Sequence, residues 1–268
     1  MILSRMKMNE LPEDEQDGSG LFVRSVEKAM RVLECFRHAR NPMTLGQLAT
    51  QTGYTKSTVQ RSVHTLLELG YLARHSDGRL QSGLKCLDLA FQFLQPNPLI
   101  SAAYPILLKL RDATGERTNL SLFDGTTLIY AIRLQSTKDY IYVSSLIGRR
   151  MPTFCTAGGR AMLAQLPREQ AQQIVMASSR RPLTPQTKTD PSEIMAAVDV
   201  ARAQGFASVV GEPVIGEVTV AAAVVGARGD PLGAVHLSSN ISHCDPDEFV
   251  GRYAPLAIEA AHMLSEMR

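Results

Sequence analysis

The sequence lacks the residue patterns that mark several common protein classes. Its four cysteines (Cys35, Cys86, Cys155 and Cys244) include no CxxC pair, so neither a zinc site nor a disulfide framework is predicted. No apolar run reaches the length of a membrane span, and the first twenty residues lack the apolar segment of a signal peptide. We therefore expect a protein of the reducing cytoplasm that has no membrane partner.

Little in the sequence indicates catalysis. No glycine-rich loop has the GxGxxG or GxxxxGK spacing of a phosphate site, and the six histidines show no metal-ligand spacing. Cys155 could serve as a thiol nucleophile beside a histidine, but no local signature supports such a pair. We expect no catalytic residue, metal or cofactor. Two other classes stay open for the chain as a whole. One is an enzyme that acts on a small organic acid and has an appended DNA-binding module, and the other is a purely structural chromosome-binding protein.

The composition and the charge distribution indicate two domains with different tasks. The chain has 268 residues, of which 44% are hydrophobic and 20% charged, as in globular proteins with room for two domains. Residues 1–20 are polar and acidic and read as a disordered leader. Residues 21–83 hold nine basic and four acidic side chains, whereas residues 84–268 hold 17 of each. A basic segment of this kind is suited to neutralising nucleic-acid phosphates.

Residues 44–83 have the layout of a winged helix-turn-helix. Thr44 and Gln47 can form a capping box that starts one helix, and Gly53 ends it. A second helix begins near Thr55 with its apolar residues on one face, and Asp77-Gly78 is typical of a tight hairpin turn. In this module the second helix enters the major groove of duplex DNA, with its first residues at the base edges.

The candidate DNA contacts are polar residues on the exposed side of the second helix, one cap residue and one hairpin residue. Arginine and lysine suit guanine, glutamine suits adenine, and hydroxyls suit phosphates or either base. A solvated polar helix face is the alternative explanation of the same residues. The candidates are Thr44, Lys56, Ser57, Thr58, Gln60, Arg61 and Arg79.

The remaining pattern predicts an α+β protein. A helical linker over 84–98, apolar nearly all round, is a candidate dimer contact, and the Pro-Asn-Pro sequence at 96–98 marks the domain boundary. Residues 99–268 read as a mostly antiparallel sheet with packed helices. The pattern predicts a strand at 140–145, a loop over 148–154 and a helix from Thr156 to Leu166.

The strings TLGQLATQTGYTKSTVQRSVHTLLELGYLAR, LIGRRMPTFCTAGGRAMLAQLP and PLTPQTKTDP, with the G-F…E…IG run at 205–216, resemble the isocitrate-lyase-regulator (IclR) family of bacterial transcription factors. The resemblance covers about residues 22–266. It implies a GAF-like effector-binding domain of α/β type, a homodimer or dimer of dimers, and binding to palindromic operators in double-stranded DNA. It also implies a small organic acid as effector, with the loop at 155–159 lining the pocket.

Two features of the residues themselves suggest where an acid binds. The run Cys155-Thr156-Ala157-Gly158 leads directly into a helix, and helix N-termini attract carboxylates. On two later strands, polar groups alternate with small residues, which is common in ligand pockets. A glycine-rich capping turn and ordinary sheet packing are the alternatives. The predicted effector-binding residues are Phe154, Cys155, Thr156, Ala157, Gly158, Val209, Thr219, His236 and Ser238.

The chain departs from the family at two positions. It has Val209 and Val210 where relatives often carry acidic residues. An apolar wall without like-charge repulsion favours a larger, partly apolar acid, such as an aromatic one. The aromatic and sulfur side chains that could pack against such a ligand are Phe154, Met151, Tyr130 and Tyr142. We expect Glu212, an acid common in relatives, to orient a loop.

Overall fold

The computed structural model describes residues 21–39, 41–138 and 147–267. The predicted leader, the predicted strand at 140–145 and Tyr142 lie outside these ranges. The chain divides between Pro96 and Asn97 into two compact units. No helix among the described residues is long and apolar enough to cross a membrane.

The N-terminal unit is a winged helix-turn-helix followed by one further helix. Its elements are α1 (Arg24–Glu34), a 3-10 turn (Cys35–His38), α2 (Leu45–Thr52), α3 (Lys56–Glu68), β1 (Leu72–Arg74), β2 (Leu80–Ser82) and α4 (Lys85–Leu94). The capping box forms as predicted, since Gln47 N donates to Thr44 Oγ1 at 3.2 Å and Thr44 N donates to Gln47 Oε1 at 2.8 Å. Gly53 ends α2 in the left-handed conformation, with φ of +72°.

A small core holds this unit together. Apolar side chains from α1, α2 and α3 and from both strands are buried against one another, and each buried aliphatic side chain contributes about 1.5–3 kcal/mol. The fully or almost fully buried members are Val32, Leu48, Val59, Val63, Leu66, Leu72 and Leu80. The strands pair antiparallel across the Asp77-Gly78 turn, and Met43 adds a bridge to Leu80. The core therefore fixes α3 with its polar side outward.

The C-terminal unit is a six-stranded sheet with helices on both faces. Its elements are α5 (Pro98–Thr114), β3 (Arg117–Asp124), β4 (Thr127–Leu134), β5 (Arg150–Pro152), α6 (Ala157–Leu163), α7 (Arg168–Ala177), α8 (Pro191–Gln204), β6 (Ala207–Val210), β7 (Glu217–Val225), β8 (Pro231–Asn240) and α9 (Pro246–Glu266). The strand order is β5-β4-β3-β8-β7-β6, and every described pair is antiparallel. The predicted α+β class and the antiparallel sheet are confirmed.

Successive side chains of β3 point to opposite faces of the sheet, and the two faces pack against different helices. Thr118 donates its hydroxyl to Leu107 O of α5 at 3.1 Å, so α5 covers the face to which Thr118 belongs. Asn119 and Ser121 lie on the opposite face, where Ser121 pairs with His236 of β8 and α6 packs on β7 and β8. We call the face that carries Asn119, Ser121 and His236 the second face of the sheet.

Two local predictions are corrected. The expected loop over 148–154 contains the strand β5, because Arg150 and Pro152 pair with β4, and this long-range pairing leaves no local signal. The helix expected to reach Leu166 ends at Leu163. The chain then makes tight turns in which Leu166 N donates to Leu163 O at 3.2 Å, since Pro167 disfavours helical geometry in the residue before it.

Candidate functional site

The exposed side of α3 presents three long polar side chains that have no partner within the described residues. Lys56, Gln60 and Arg61 are exposed on the first two turns, while Val59 and Val63 face the core. None of the three makes a hydrogen bond or an ion pair in the described part of the chain. Their donors and acceptors are therefore available to an incoming duplex.

The predicted hydroxyl contacts and Arg79 are already engaged in local structure. Thr55 Oγ1 lies 3.1 Å from Ser57 Oγ and 3.0 Å from Thr58 Oγ1, at the start of α3. Arg79 pairs with Asp77, with Nε 2.7 Å from a carboxylate oxygen, and this pairing raises the pKa of the guanidinium. These residues, like Thr44 in its capping box, stabilise helix starts and the hairpin, so a DNA contact would have to share their groups.

His64 extends the exposed polar side of α3 and was not among the predicted contacts. His64 follows Gln60 by four positions and is exposed, so it lies on the same side of the helix one turn later. The four-residue spacing from Gln60 was enough to predict this position of His64 from the sequence.

A cavity of about 220 Å³ opens on the second face of the C-terminal sheet. Five adjacent strands and the loop before β7 line it. The strand residues are Arg117, Tyr130, Arg133, Met151, Glu217, Ser238, Ser239 and Asn240, and the loop residues include Pro213, Val214, Ile215 and Gly216. Gln135, Ser136 and Arg149 complete it. The cavity thus combines polar side chains of the sheet with an apolar rim.

The charges in this cavity are mainly positive. Arg117, Arg133 and Arg149 line it, and Glu217 is the single acid among the described lining residues. Arg117 Nη2 donates to Glu217 Oε2, but within the described residues Arg117 Nε is buried without a partner, as are Nε and Nη1 of Arg133. Unpaired buried donors are costly, and a bound carboxylate is the group that would satisfy them.

Aromatic packing holds Arg133 in place. Its guanidinium carbon lies 4.4 Å from the centroid of the Tyr130 ring, a cation–π distance. Burial lowers the pKa of Arg133, and the nearby Arg117 and Arg149 lower it further. A guanidinium in these surroundings gains from a negative ligand because the ligand offsets both the burial and the repulsion.

Of the nine predicted effector-binding residues, Ser238 lines this cavity. Thr219 lies beside it and donates its hydroxyl to Ser238 Oγ at 2.9 Å. The remaining seven do not reach the cavity. Phe154, Cys155, Thr156, Ala157 and Gly158 are buried around the start of α6, and Val209 packs on Ala157 and Ala221. The expected carboxylate site at the start of this helix therefore lies apart from the cavity, and it stays a prediction.

His236 packs against Gly158 at the start of α6. A methyl group added to Gly158 would lie 2.2 Å from His236 Cε1, so the imidazole already fills the space in front of this glycine. His236 Nε2 is 2.8 Å from Ser121 Oγ, and its ring lies 5.5 Å from that of Tyr130. Burial, followed by the charges of Arg133 and Arg117, lowers the pKa of His236 to about 3. A neutral imidazole therefore separates α6 from the cavity.

Of the side chains predicted to pack against an apolar ligand, some line the cavity and one does not. Tyr130 and Met151 line the cavity, whereas Phe154 is fully buried in the core with Leu163 and Ile194. The arginines were missed, although the alternation of Arg117, Asn119 and Ser121 along one strand carried a usable signal of a polar face. Their convergence with Arg133 required the strand pairing.

Cys155 does not have the surroundings of a nucleophile. Its thiol is fully buried, and burial raises its pKa to about 12, so the thiolate is absent at neutral pH. No group of three or more His, Cys, Asp or Glu side chains among residues 21–39, 41–138 and 147–267 could hold a metal ion.

Comparison with known proteins places both units in one family. Residues 91–266 match the model of the C-terminal domain of bacterial IclR transcriptional regulators, and residues 25–76 match the IclR helix-turn-helix domain. The Pca regulon regulatory protein of Pseudomonas putida is 29% identical over 244 residues, which cover 91% of this chain and 83% of that protein.

Solved structures share the fold. An IclR family transcriptional regulator from Brucella abortus aligns with a TM-score of 0.81 at 22% identity and covers 96% of this chain and 97% of that one. An IclR homolog from Microbacterium hydrocarbonoxydans, solved with 4-hydroxybenzoate, aligns with a TM-score of 0.73 at 20% identity and covers 90% and 97%.

Proposed function

The chain belongs to the IclR family of bacterial transcriptional regulators, and we propose that it binds a palindromic operator as a homodimer under control of a small organic acid. We assign residues 21–83 to DNA binding, 84–98 to a linker and 99–268 to effector binding. The observation that carries the effector assignment is the cavity in which nitrogens of Arg117 and Arg133 are buried without a partner among the described residues.

The DNA-binding assignment is supported by α3 and by its charge environment. Lys56, Gln60 and Arg61 extend from the exposed side of a helix whose other side is fixed in the core. The excess of basic residues falls within residues 21–83, where phosphate neutralisation would require it. We assign base contacts to these three side chains, and helix-end and hairpin roles beside the phosphates to Thr44, Ser57, Thr58 and Arg79.

The dimer assignment is supported by α4. This helix has no buried residue, and its large apolar side chains are exposed, with Phe91 at 62% and Leu87 at 66%. Exposed apolar surface of this extent on a water-facing helix favours association with another chain. A two-fold dimer would present two α3 helices to half-sites of a palindrome.

The cavity favours an acid with an apolar body. Benzene fits an apolar cavity of roughly 150 Å³ in another protein, so the 220 Å³ available here suits a ring with a carboxylate. Tyr130, Met151 and the apolar rim would contact the ring, and Arg133 the carboxylate. The 4-hydroxybenzoate complex is a property of the Microbacterium protein and, at 20% identity, supports the fold alone.

Calorimetric titration of the purified protein tests the effector assignment. We expect benzoate to bind, and Arg133→Met to lose that binding by tenfold or more, because a charged hydrogen bond is worth about 1.5–3 kcal/mol. Arg228→Met, an exposed arginine in the turn before β8, is the matched control. Tight binding of pyruvate or glyoxylate together with no binding of benzoate would refute the proposal.

A gel-shift titration with an operator fragment tests the coupling. Effector binding should change operator affinity by about 1–3 kcal/mol, or roughly 5- to 150-fold. The change should disappear in Arg133→Met, while the affinity of that variant for DNA without effector stays at the wild-type level. If the effector changes the operator affinity of Arg133→Met as much as that of the wild-type protein, the effector does not act through this cavity.

A further inference from the structure

Glu217 places a carboxylate in a cavity whose other charged lining residues are arginines. In a site for an acid this side chain is a disadvantage, because it repels any ligand carboxylate that comes near it. It also cancels part of the positive charge by pairing with Arg117. Its position becomes useful if the part of the ligand that meets it carries a hydrogen-bond donor.

The backbones of Glu217 and Arg133 lie three strands apart in the sheet. Arg133 is on β4 and Glu217 on β7, and β3 and β8 lie between these strands. Three strand spacings amount to about 14 Å between the two backbones. A ligand whose carboxylate meets Arg133 therefore directs its far end toward β8 and β7, where Ser238 and Glu217 are.

The Glu217 carboxylate has acceptor capacity left for a ligand. Arg117 donates to one of its oxygens, and Thr219 Oγ1, whose single proton is shared between Ser238 and Glu217, lies 3.2 Å from the other. A carboxylate offers about four acceptor positions, so two remain. The side chain is 19% exposed, compared with 9% for that of Arg117, and Glu217 lines the cavity. Its free positions are therefore accessible from inside the pocket.

We propose that Glu217 is a specificity-determining residue that accepts a hydrogen bond from a hydroxyl group of the effector. The effector class is then a hydroxy acid with one carboxylate, held at Arg133, and one hydroxyl at the far end of an apolar body. Dicarboxylates of the same length are excluded by repulsion from Glu217. This inference rests on the proposed function, because it assumes that an acid binds in this cavity.

Calorimetry with three para-substituted probes tests the inference on the full-length protein. The probes are benzoate, 4-hydroxybenzoate and terephthalate, which differ only at the end expected to meet Glu217. We expect 4-hydroxybenzoate to bind at least about tenfold more tightly than benzoate, and terephthalate to bind at least about tenfold more weakly than benzoate. Equal affinities for benzoate and 4-hydroxybenzoate would overturn the inference and leave the proposed function standing.

Two substitutions separate hydrogen bonding from charge. Glu217→Gln retains an acceptor without the charge, so terephthalate should gain affinity while a preference for the hydroxyl persists. Glu217→Ala removes the acceptor, so the ratio of the 4-hydroxybenzoate and benzoate affinities should fall to about one. Glu248→Gln, an exposed acid on α9, is the matched control, and thermal unfolding checks that each variant is folded.

The ratio of the 4-hydroxybenzoate and benzoate affinities also tests a competing explanation, in which Glu217 serves only to neutralise Arg117. A residue that serves only as the counter-ion of Arg117 would, when replaced, raise the affinities for benzoate and 4-hydroxybenzoate by the same factor. That uniform gain would overturn the inference. If none of the three probes binds to the wild-type protein, the proposed aromatic-acid site fails, and the inference fails with it.

Discussion

Arg160 and Glu212 form a buried ion pair in which two guanidinium nitrogens donate to the two carboxylate oxygens, each at 2.7 Å. Arg160 Nε also donates to Phe154 O at 2.9 Å, and the backbone N of Lys188 donates to Glu212 at 3.1 Å. The pair thereby connects α6 to the loop after β6, which continues into the apolar rim of the cavity. Glu212 orients this loop and does not line the cavity.

Replacing Glu212 with Gln should destabilise the protein by about 3–5 kcal/mol, because Arg160 would be left as a buried charge without its counter-ion. The free energy of unfolding from urea titration measures the effect. Glu259→Gln, an exposed acid on α9, is the control and should change stability by less than about 0.5 kcal/mol. A loss below 1 kcal/mol for Glu212→Gln would contradict the prediction, because the buried Arg160 would then not depend on its counter-ion.

Gly158 should tolerate no side chain, because His236 occupies the space in front of it. We expect Gly158→Ala to lower the free energy of unfolding by about 1–3 kcal/mol. Gly251→Ala is the matched control, since this glycine of α9 has open space around it and alanine favours helices. A double-mutant cycle with His236→Ala should recover part of the loss. Additive effects of the two substitutions would contradict the contact.

The helix-turn-helix was predictable because its signals are local. Thr44 with Gln47, Gly53 and Asp77-Gly78 each fix a turn or a helix end through groups a few residues apart. Such signals do not depend on how distant parts of the chain pack. The boundaries of α2 and α3 therefore followed from the sequence.

The cavity was not predictable in the same way. Arg117, Arg133 and Glu217 are far apart in the sequence and meet only because β3 pairs with both β4 and β8, and β8 pairs with β7. Ser238 and Thr219 were identified from alternation, which gives the face but not the neighbouring strand. The position of His236 against Gly158 could not be predicted from the sequence, because it depends on how α6 packs on β8.

His236 should make the protein less stable in acid. Its pKa is about 3 in the folded protein and 6.5 ordinarily, so the unfolded chain binds a proton that the folded protein does not as the pH falls below 6.5. Between pH 6 and pH 4.5 this difference removes roughly 2 kcal/mol of stability. The stability of His236→Gln should depend less on pH over this range. An NMR titration in which the His236 ring gains a proton above pH 5 would contradict the assignment.

Arg61→Ala should weaken operator binding, because the guanidinium of Arg61 is exposed on α3 and has no partner within the described residues. A lost base contact costs about 1–3 kcal/mol and relaxes the preference at one base pair. Gel shifts with the operator and with single-base variants measure both effects.

The same measurements separate a base contact from a phosphate contact. If Arg61 contacts a phosphate, the affinity for all duplexes should fall alike and the dependence on salt concentration should become less steep. Arg228→Ala removes one exposed positive charge from the turn before β8 and controls for the change in net charge. Unchanged affinity and unchanged base preference in Arg61→Ala would show that α3 is not the helix that reads the operator.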